Sequence, residues 1–191
     1  MASFGGDQHL QDIVLRMLAH ASAYVETGIR EGDSIGWVAR QTSLPCYGCE
    51  PGDHFNRARR KMGDLRNTDI ARETSQVYLS RLTDEGPTLF FLDAHGFGKW
   101  KLPLRFEIEY IMQMWESAWI LIHDFKIGGS FSHDTHEGHA LDMDYIRESI
   151  DPRRDYRILQ PDYDASKPGW IIIEYGAELD WADLPVMKAG K

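Results

Sequence analysis

The hydrophobic positions of this chain change period again and again. Between residues 8 and 21 they fall at Ile13, Val14, Met17, Leu18 and Ala21, the stripe of an amphipathic helix. Tyr24-Val25 opens a short apolar run that reads as a buried strand. Ile35, Trp37, Val38 and Ala39 then return to helical spacing as far as Arg40-Gln41. The alternation continues with a strand at 45–49, a helix at 53–62, a weak strand at 68–71 and a helix carrying Val77, Tyr78 and Leu82. A strand at 88–92 precedes a helix at 103–114, where Pro103 is placed to open the first turn. The strand at 118–122 is followed by a polar loop of roughly fifteen residues, a length that in a compact domain marks function or disorder. Residues 141–150 look helical, and 155–159 and 169–175 look like two final strands.

Strands alternating with helices predict an open α/β sheet, doubly wound and mostly parallel, covered on both faces. The last two strands have no long helix between them, which predicts a closing hairpin with an antiparallel strand near one edge. Residues 1–22 form a helical lead-in, 23–176 the domain, and 177–191 a tail with Trp181 and Pro185 but no clear period. That tail is expected to pack across the surface or to join a partner.

At 191 residues and 42% hydrophobic content, the chain can bury one substantial core. A formal charge of −9 argues against nucleic acid as a partner, though not against a small anionic ligand. The basic run from Arg57 to Lys61 sits in a helical segment and reads as its solvated face. No apolar run approaches the ~18 residues of a membrane span, so no membrane partner is expected. The opening MASFGGDQ lacks the basic and apolar regions of a secretory signal. Cys46 and Cys49 have redox or half-zinc spacing, but there is no second pair; they read as small apolar residues of a buried strand. A cytoplasmic location is the resulting expectation.

In such a sheet, ligands sit beyond the carboxyl ends of the strands. The first strand ends at Glu26-Thr27-Gly28, followed after three residues by Gly32-Asp33-Ser34. Gly28 permits a tight turn and close ligand approach, and Asp33 or Ser34 is a natural N-cap for the next helix. The free N–H groups of that helix can hold a carboxylate or phosphate. The spacing is not the G-x-G-x-x-G of dinucleotide folds, and an acid before the first glycine would repel a pyrophosphate. It suits a ligand with an ammonium and a sulfonium, such as S-adenosylmethionine. Glu50, at the second strand end, can accept both hydroxyl protons of a ribose. Ser75 follows the third strand, where an adenine edge would lie.

The fourth strand ends at Asp93 and His95, the fifth at His123 and Asp124. Asp93, Asp124 and a histidine could hold a divalent cation that lowers the pKa of a substrate hydroxyl. Oxygen ligands would favour Mg²⁺, and histidine tilts the set toward Mn²⁺, Fe²⁺ or Zn²⁺. Alternatively His95 serves as a metal-free general base oriented by Asp93 or Asp124. His133, His136 and His139 lie in the polar loop just beyond; their spacing of three invites a metal reading, but the run has a glycine and no apolar face, and a flexible lid over substrate is the expectation there.

The segments VETGIREGDS, CYGCEP, LFFLDAH with PLRFEIE, and ILIHDFKI followed by LDMDYI resemble class I S-adenosylmethionine-dependent methyltransferases. The closer likeness is to the macrocin O-methyltransferase-like group, which also resembles cephalosporin hydroxylase-like proteins. The resemblance runs from about residue 10 to 175. It implies a seven-stranded Rossmann-like sheet with the last strand antiparallel, and cofactor contacts from Glu26, Gly28, Gly32, Ser34 and Glu50; Thr27 and Ser75 are expected to join them. It matches metal-using relatives at Asp93 and Asp124 and gives His95 as the nearest match to their base; Asp93, His95 and Asp124 are the expected catalytic residues, and Asp93, His123 and Asp124 the expected metal ligands. Metal-using relatives carry an acidic pair after the fifth strand; His123-Asp124 departs from that, leaving Mg²⁺, another metal or none. The implied reaction is methyl transfer to a hydroxyl of a small molecule, a sugar or natural product. The short chain suits a small acceptor, or a homo-oligomer whose second subunit lends walls. Two other readings stand beside it: a cofactor-binding module without catalysis, and an iron-dependent hydroxylase-like enzyme using His95, His123 and Asp124. A nicotinamide enzyme is least favoured.

Overall fold

The computed structural model describes residues 3–95 and 101–189. Five parallel strands carry the frame: β1 (Ala23–Thr27), β2 (Cys46–Cys49), β3 (Thr68–Ala71), β4 (Thr88–Leu92) and β5 (Ala118–Ile122). The helices between them are α2 (Asp33–Gln41), α3 (Phe55–Met62), α4 (Ser75–Leu79) and α5 (Leu104–Met114), with α1 (Gln8–Leu18) leading in. After β5 come a small hairpin, β6 (Thr135–His136) and β7 (His139–Ala140), and a short helix α6 (Met143–Ile146). The chain closes with β8 (Tyr156–Pro161), β9 (Ile171–Tyr175) and β10 (Val186–Lys188).

The main sheet runs β10-β8-β9-β5-β4-β1-β2-β3. β9 is antiparallel to β5, as the lack of a crossover helix predicted, and pairs antiparallel with β8. Strand order reverses between β1 and β4. The connections after these two strands therefore leave in opposite directions and open a crevice at their carboxyl ends. Every residue of β1, β4, β5 and β9 is buried, which is why these strands read as continuous apolar runs. On one face, Phe4, Met17, Val38, Trp119 and Trp170 form the core; on the other, Phe90, Ile108, Ile111, Trp115 and Ile120 do.

The mostly parallel α/β sheet stands as expected, with eight strands rather than seven. The additional strand comes from the tail. Leu179 and Trp181 are buried, and β10 pairs with β8. The anchor is Glu174, a buried carboxylate on β9. It accepts hydrogen bonds from Trp119 Nε1 at 3.0 Å, the Leu179 N–H at 3.1 Å and Trp181 Nε1 at 3.1 Å, and pairs with Arg157. The apolar residues of the tail follow neither a helix nor a strand period, so the sequence pattern left it unassigned.

Cys46 and Cys49 are free and buried in β2, and burial pushes the Cys46 thiol up to about 12. The basic face of α3 is not only solvated. Arg57 pairs with Glu31, and Lys61 Nζ lies 2.5 Å from Asp33 Oδ1. These pairs tie α3 to the loop after β1.

Candidate active site

The corner after β1 is built by close backbone approach. Gly28 has φ +72°, and a Cβ there would stand 2.6 Å from both the Asp93 carbonyl oxygen and Ala94 Cα. Only glycine fits. The N–H groups of Gly28 and Ile29 donate to the Cys49 carbonyl at 3.0 and 3.1 Å, locking the corner to β2. Gly32, at φ +75°, is the N-cap of α2 and offers no side-chain cap. The expected cap by Asp33 or Ser34 is corrected here. Asp33 is already helical and pairs with Lys61, while Ser34 Oγ accepts the Phe4 N–H at 3.2 Å.

A cleft of ≈330 Å³ opens at this point. Its walls include Glu26 and Gly28 from the end of β1, Ser34 from α2, Asp93 from β4 and His123 from β5. Phe4 also lines it, packed edge-on against Trp37 and Phe91. Glu26 is buried, and Tyr24 Oη donates to its Oε2 at 2.7 Å. Burial raises its carboxyl well above the ordinary value, against the lowering effect of that hydrogen bond. A buried carboxyl in that state favours a cation beside it.

Glu50 stands at the end of β2 but is not among the residues lining the cleft. Its Oε2 accepts the Arg30 N–H at 3.0 Å and its Oε1 the Gly52 N–H at 2.7 Å, so it braces the loop after β1. Thr27 and Ser75 also lie off the cleft, and both are buried. They face Glu107 of α5, a fully buried carboxyl that the sequence reading missed. Neither Glu107 oxygen makes a well-formed hydrogen bond among the described residues. Burial raises this carboxyl to about 7, although the Ser75 and Thr27 hydroxyls pull it back down. In the sequence, Glu107 looks like any polar residue of an amphipathic helix.

The ends of β4 and β5 converge tightly. His95 Nε2 lies 3.0 Å from Asp93 Oδ1 and 3.1 Å from Asp124 Oδ2. His123 Nδ1 lies 3.2 Å from Asp93 Oδ1 and 3.5 Å from Asp124 Oδ1. Asp124 itself takes φ +53°, rare for a residue with a side chain. Burial disfavours charge throughout the cluster, but the ion pairing outweighs it. His123 and His95 hold the Asp93 carboxyl well below the ordinary range, and Asp124 and Asp93 raise the His95 imidazole to about 10. The two carboxylates thus favour the charged form of the His95 imidazole. The donor set Asp93, His123 and Asp124 has its ligand atoms within 4.8 Å of one another, as a cation would need.

His136 joins this group from β6. Its ring stacks on that of His95, with centroids 3.9 Å apart and planes 9° apart. The polar loop is therefore partly structured over the site rather than a free lid. The signal in the sequence was Gly138 two residues on, the glycine of a tight hairpin turn.

No family model and no curated protein matches this chain. Solved structures do match its fold. The N-terminal domain of EvdMO1 with S-adenosylhomocysteine bound has a TM-score of 0.60 at 14% identity, covering 92% of this chain and 83% of that one. The same domain has been solved in the presence of S-adenosylhomocysteine and D-fucose. A protein assigned as an O-methyltransferase from Klebsiella pneumoniae has a TM-score of 0.61 at 17% identity, covering 90% and 81%. An rRNA methylase from Streptococcus thermophilus has a TM-score of 0.55 at 16% identity, covering 86% and 96%. The fold is the Rossmann-like fold of methyltransferases.

Proposed function

We propose that the cleft binds S-adenosylmethionine and that the chain transfers its methyl group to a hydroxyl of a small molecule. The acceptor is of sugar or natural-product type, as in macrocin O-methyltransferase-like proteins. One observation carries the reading: Glu26, Asp93 and His123, from the ends of three different parallel strands, line one cleft at the point where strand order reverses. The neighbours solved with S-adenosylhomocysteine and D-fucose support it at the level of fold.

The residues present fit this cofactor. Glu26 offers a buried carboxyl to the methionyl ammonium, and the first turn of α2 offers N–H groups to its carboxylate. Each Glu50 oxygen accepts one backbone N–H, which leaves a lone pair on each for ribose hydroxyls. Asp93 stands between cleft and cluster, where it can orient the acceptor hydroxyl toward the methyl group. His95 Nε2, between the two carboxylates, would take the hydroxyl proton only after giving up the one it shares with them. A divalent cation at Asp93, His123 and Asp124 would neutralise the carboxylates, free that imidazole and lower the pKa of a bound hydroxyl. A small acceptor is favoured over RNA because four acids, Glu26, Glu31, Asp33 and Asp93, line the cleft beside a single arginine, Arg30.

The test is transfer of a labelled methyl group from S-adenosylmethionine to a panel of sugars and phenols, with and without Mg²⁺, Mn²⁺ or Zn²⁺. Labelled product and S-adenosylhomocysteine are expected in equal amounts. Asp93→Asn is expected to slow turnover by about 10²–10³-fold while cofactor affinity changes little. No S-adenosylhomocysteine formation with any acceptor or metal would remove the proposal.

A further inference from the structure

The β6–β7 hairpin has a chemistry that the transfer reading does not use. Its two-residue turn has Glu137 at φ +51° and Gly138 at φ +83°, the left-handed pair that matches the twist of a two-residue hairpin. Glu137 Oε1 accepts the Leu102 N–H at 3.3 Å, and the Lys126 N–H donates to the Leu141 carbonyl at 2.6 Å. The hairpin is thus held at both ends over the carboxyl edge of β4 and β5.

Docked in this way, His136 presents Nε2 to Asp124 Oδ2 at 4.0 Å, too far for a hydrogen bond. That nitrogen is sealed from solvent and has no hydrogen-bond partner among the described residues. Buried polar atoms are nearly always paired, so an orphan aimed at a carboxylate points to a missing group. The stacked ring of His95 places its own Nε2 3.1 Å from the same oxygen. The three donor atoms lie within 4.8 Å of one another. Metal–ligand bonds of about 2.0–2.2 Å bring neighbouring donors to roughly 3–3.5 Å apart, so a small inward shift of the hairpin completes the set. Asp124 gives Oδ2 to this set and turns Oδ1 toward His123. Two imidazoles and one carboxylate suit a borderline ion, whereas Mg²⁺ prefers oxygen ligands and keeps its water.

We propose that His95, Asp124 and His136 bind a first-row transition-metal dication, with the hairpin as the element that brings the third ligand. The site shares Asp124 and His95 with the transfer reading, and a metal on His95 Nε2 would displace its proton and take it out of use as a base; the site does not depend on S-adenosylmethionine. Binding of Zn²⁺ and binding of S-adenosylhomocysteine therefore succeed or fail separately.

The experiment titrates Zn²⁺ into the chelator-treated, dialysed full chain by calorimetry, beside His136→Ala, His136→Gln and His133→Ala. His133 is exposed in the same loop and serves as the control. Wild type and His133→Ala are expected to bind Zn²⁺ alike, and both His136 variants at least tenfold more weakly, with unchanged thermal unfolding of the metal-free proteins. Excess Mg²⁺ is expected not to displace Zn²⁺. Histidine ring ¹⁵N spectra of the wild type keep the test independent of variant folding: the His136 ring signals should move on Zn²⁺ addition. Equal affinity in wild type and His136 variants, displacement by Mg²⁺, absence of Zn²⁺ binding, or unmoved His136 signals would overturn the proposal.

Discussion

At the scale of single residues, two buried carboxyls reveal different pressures. Glu26 faces the cleft and has a phenol as partner, so its raised pKa is relieved by an incoming cation. Glu107 faces the Ser75 and Thr27 hydroxyls, and these and the His95 charge only partly offset its burial. Its folded pKa of about 7 lies above the ordinary 4.5, so the folded state holds the proton more tightly. The stabilisation is complete below pH 4.5, falls as pH rises toward 7, and is lost above it. Glu107→Gln removes that dependence. In urea unfolding at pH 5 and pH 8, the variant is expected to gain on wild type by up to about 3 kcal/mol at the higher pH. A constant difference between the two proteins would mean that Glu107 does not titrate in this way. Glu107 was illegible in the sequence because its burial is set by α4 and the end of β1, elements distant along the chain. By contrast, Asp93, His123 and Asp124 were legible, since each ends an apolar run whose direction the parallel sheet fixes.

At the scale of elements, the turn after β1 and the tail make opposite lessons. The turn announced itself through Gly28, and the structure supplies the reason: backbone from the end of β4 occupies the space of a side chain. Gly28→Ala is therefore expected to cost more than about 1 kcal/mol in denaturant unfolding, through the left-handed φ and the contact together. An unchanged midpoint would place the end of β4 elsewhere. The tail did not announce itself. Its two anchors, Leu179 and Trp181, gain meaning only from Glu174, a charge inside a strand that otherwise reads as apolar. Trp181→Ala is expected to destabilise the protein by about 3–5 kcal/mol, the scale of a buried aromatic truncation. A loss below 1 kcal/mol would show that the tail is not part of the core. The hairpin after β5 was half legible: its histidines were visible, but the turn that aims His136 at Asp124 depends on Glu137 and Gly138 both taking positive φ.

At the scale of the whole molecule, the sequence pattern fixed what the sheet could be but not how its edge is used. Periodicity distinguished strands from helices, and the missing helix before β9 foretold the antiparallel pairing. The crevice at β1 and β4 follows from that topology alone. What the pattern left undivided is the labour along the carboxyl edge. Glu26 and Asp93 face the cleft, Glu50 braces the loop after β1, and Thr27 and Ser75 face Glu107. Net charge fits a small acceptor held by specific contacts better than a polyanion. The account rests on the cleft being a sulfonium-nucleoside site. Side-by-side calorimetric titration with S-adenosylmethionine, S-adenosylhomocysteine and NAD, on wild type and Glu26→Gln, addresses this directly. One equivalent of each S-adenosyl ligand should bind and NAD should not, with the variant weakened by about 1.5–3 kcal/mol, the scale of a hydrogen bond to a charged group. Binding of NAD alone, no heat from the S-adenosyl ligands, or full affinity in Glu26→Gln would contradict it.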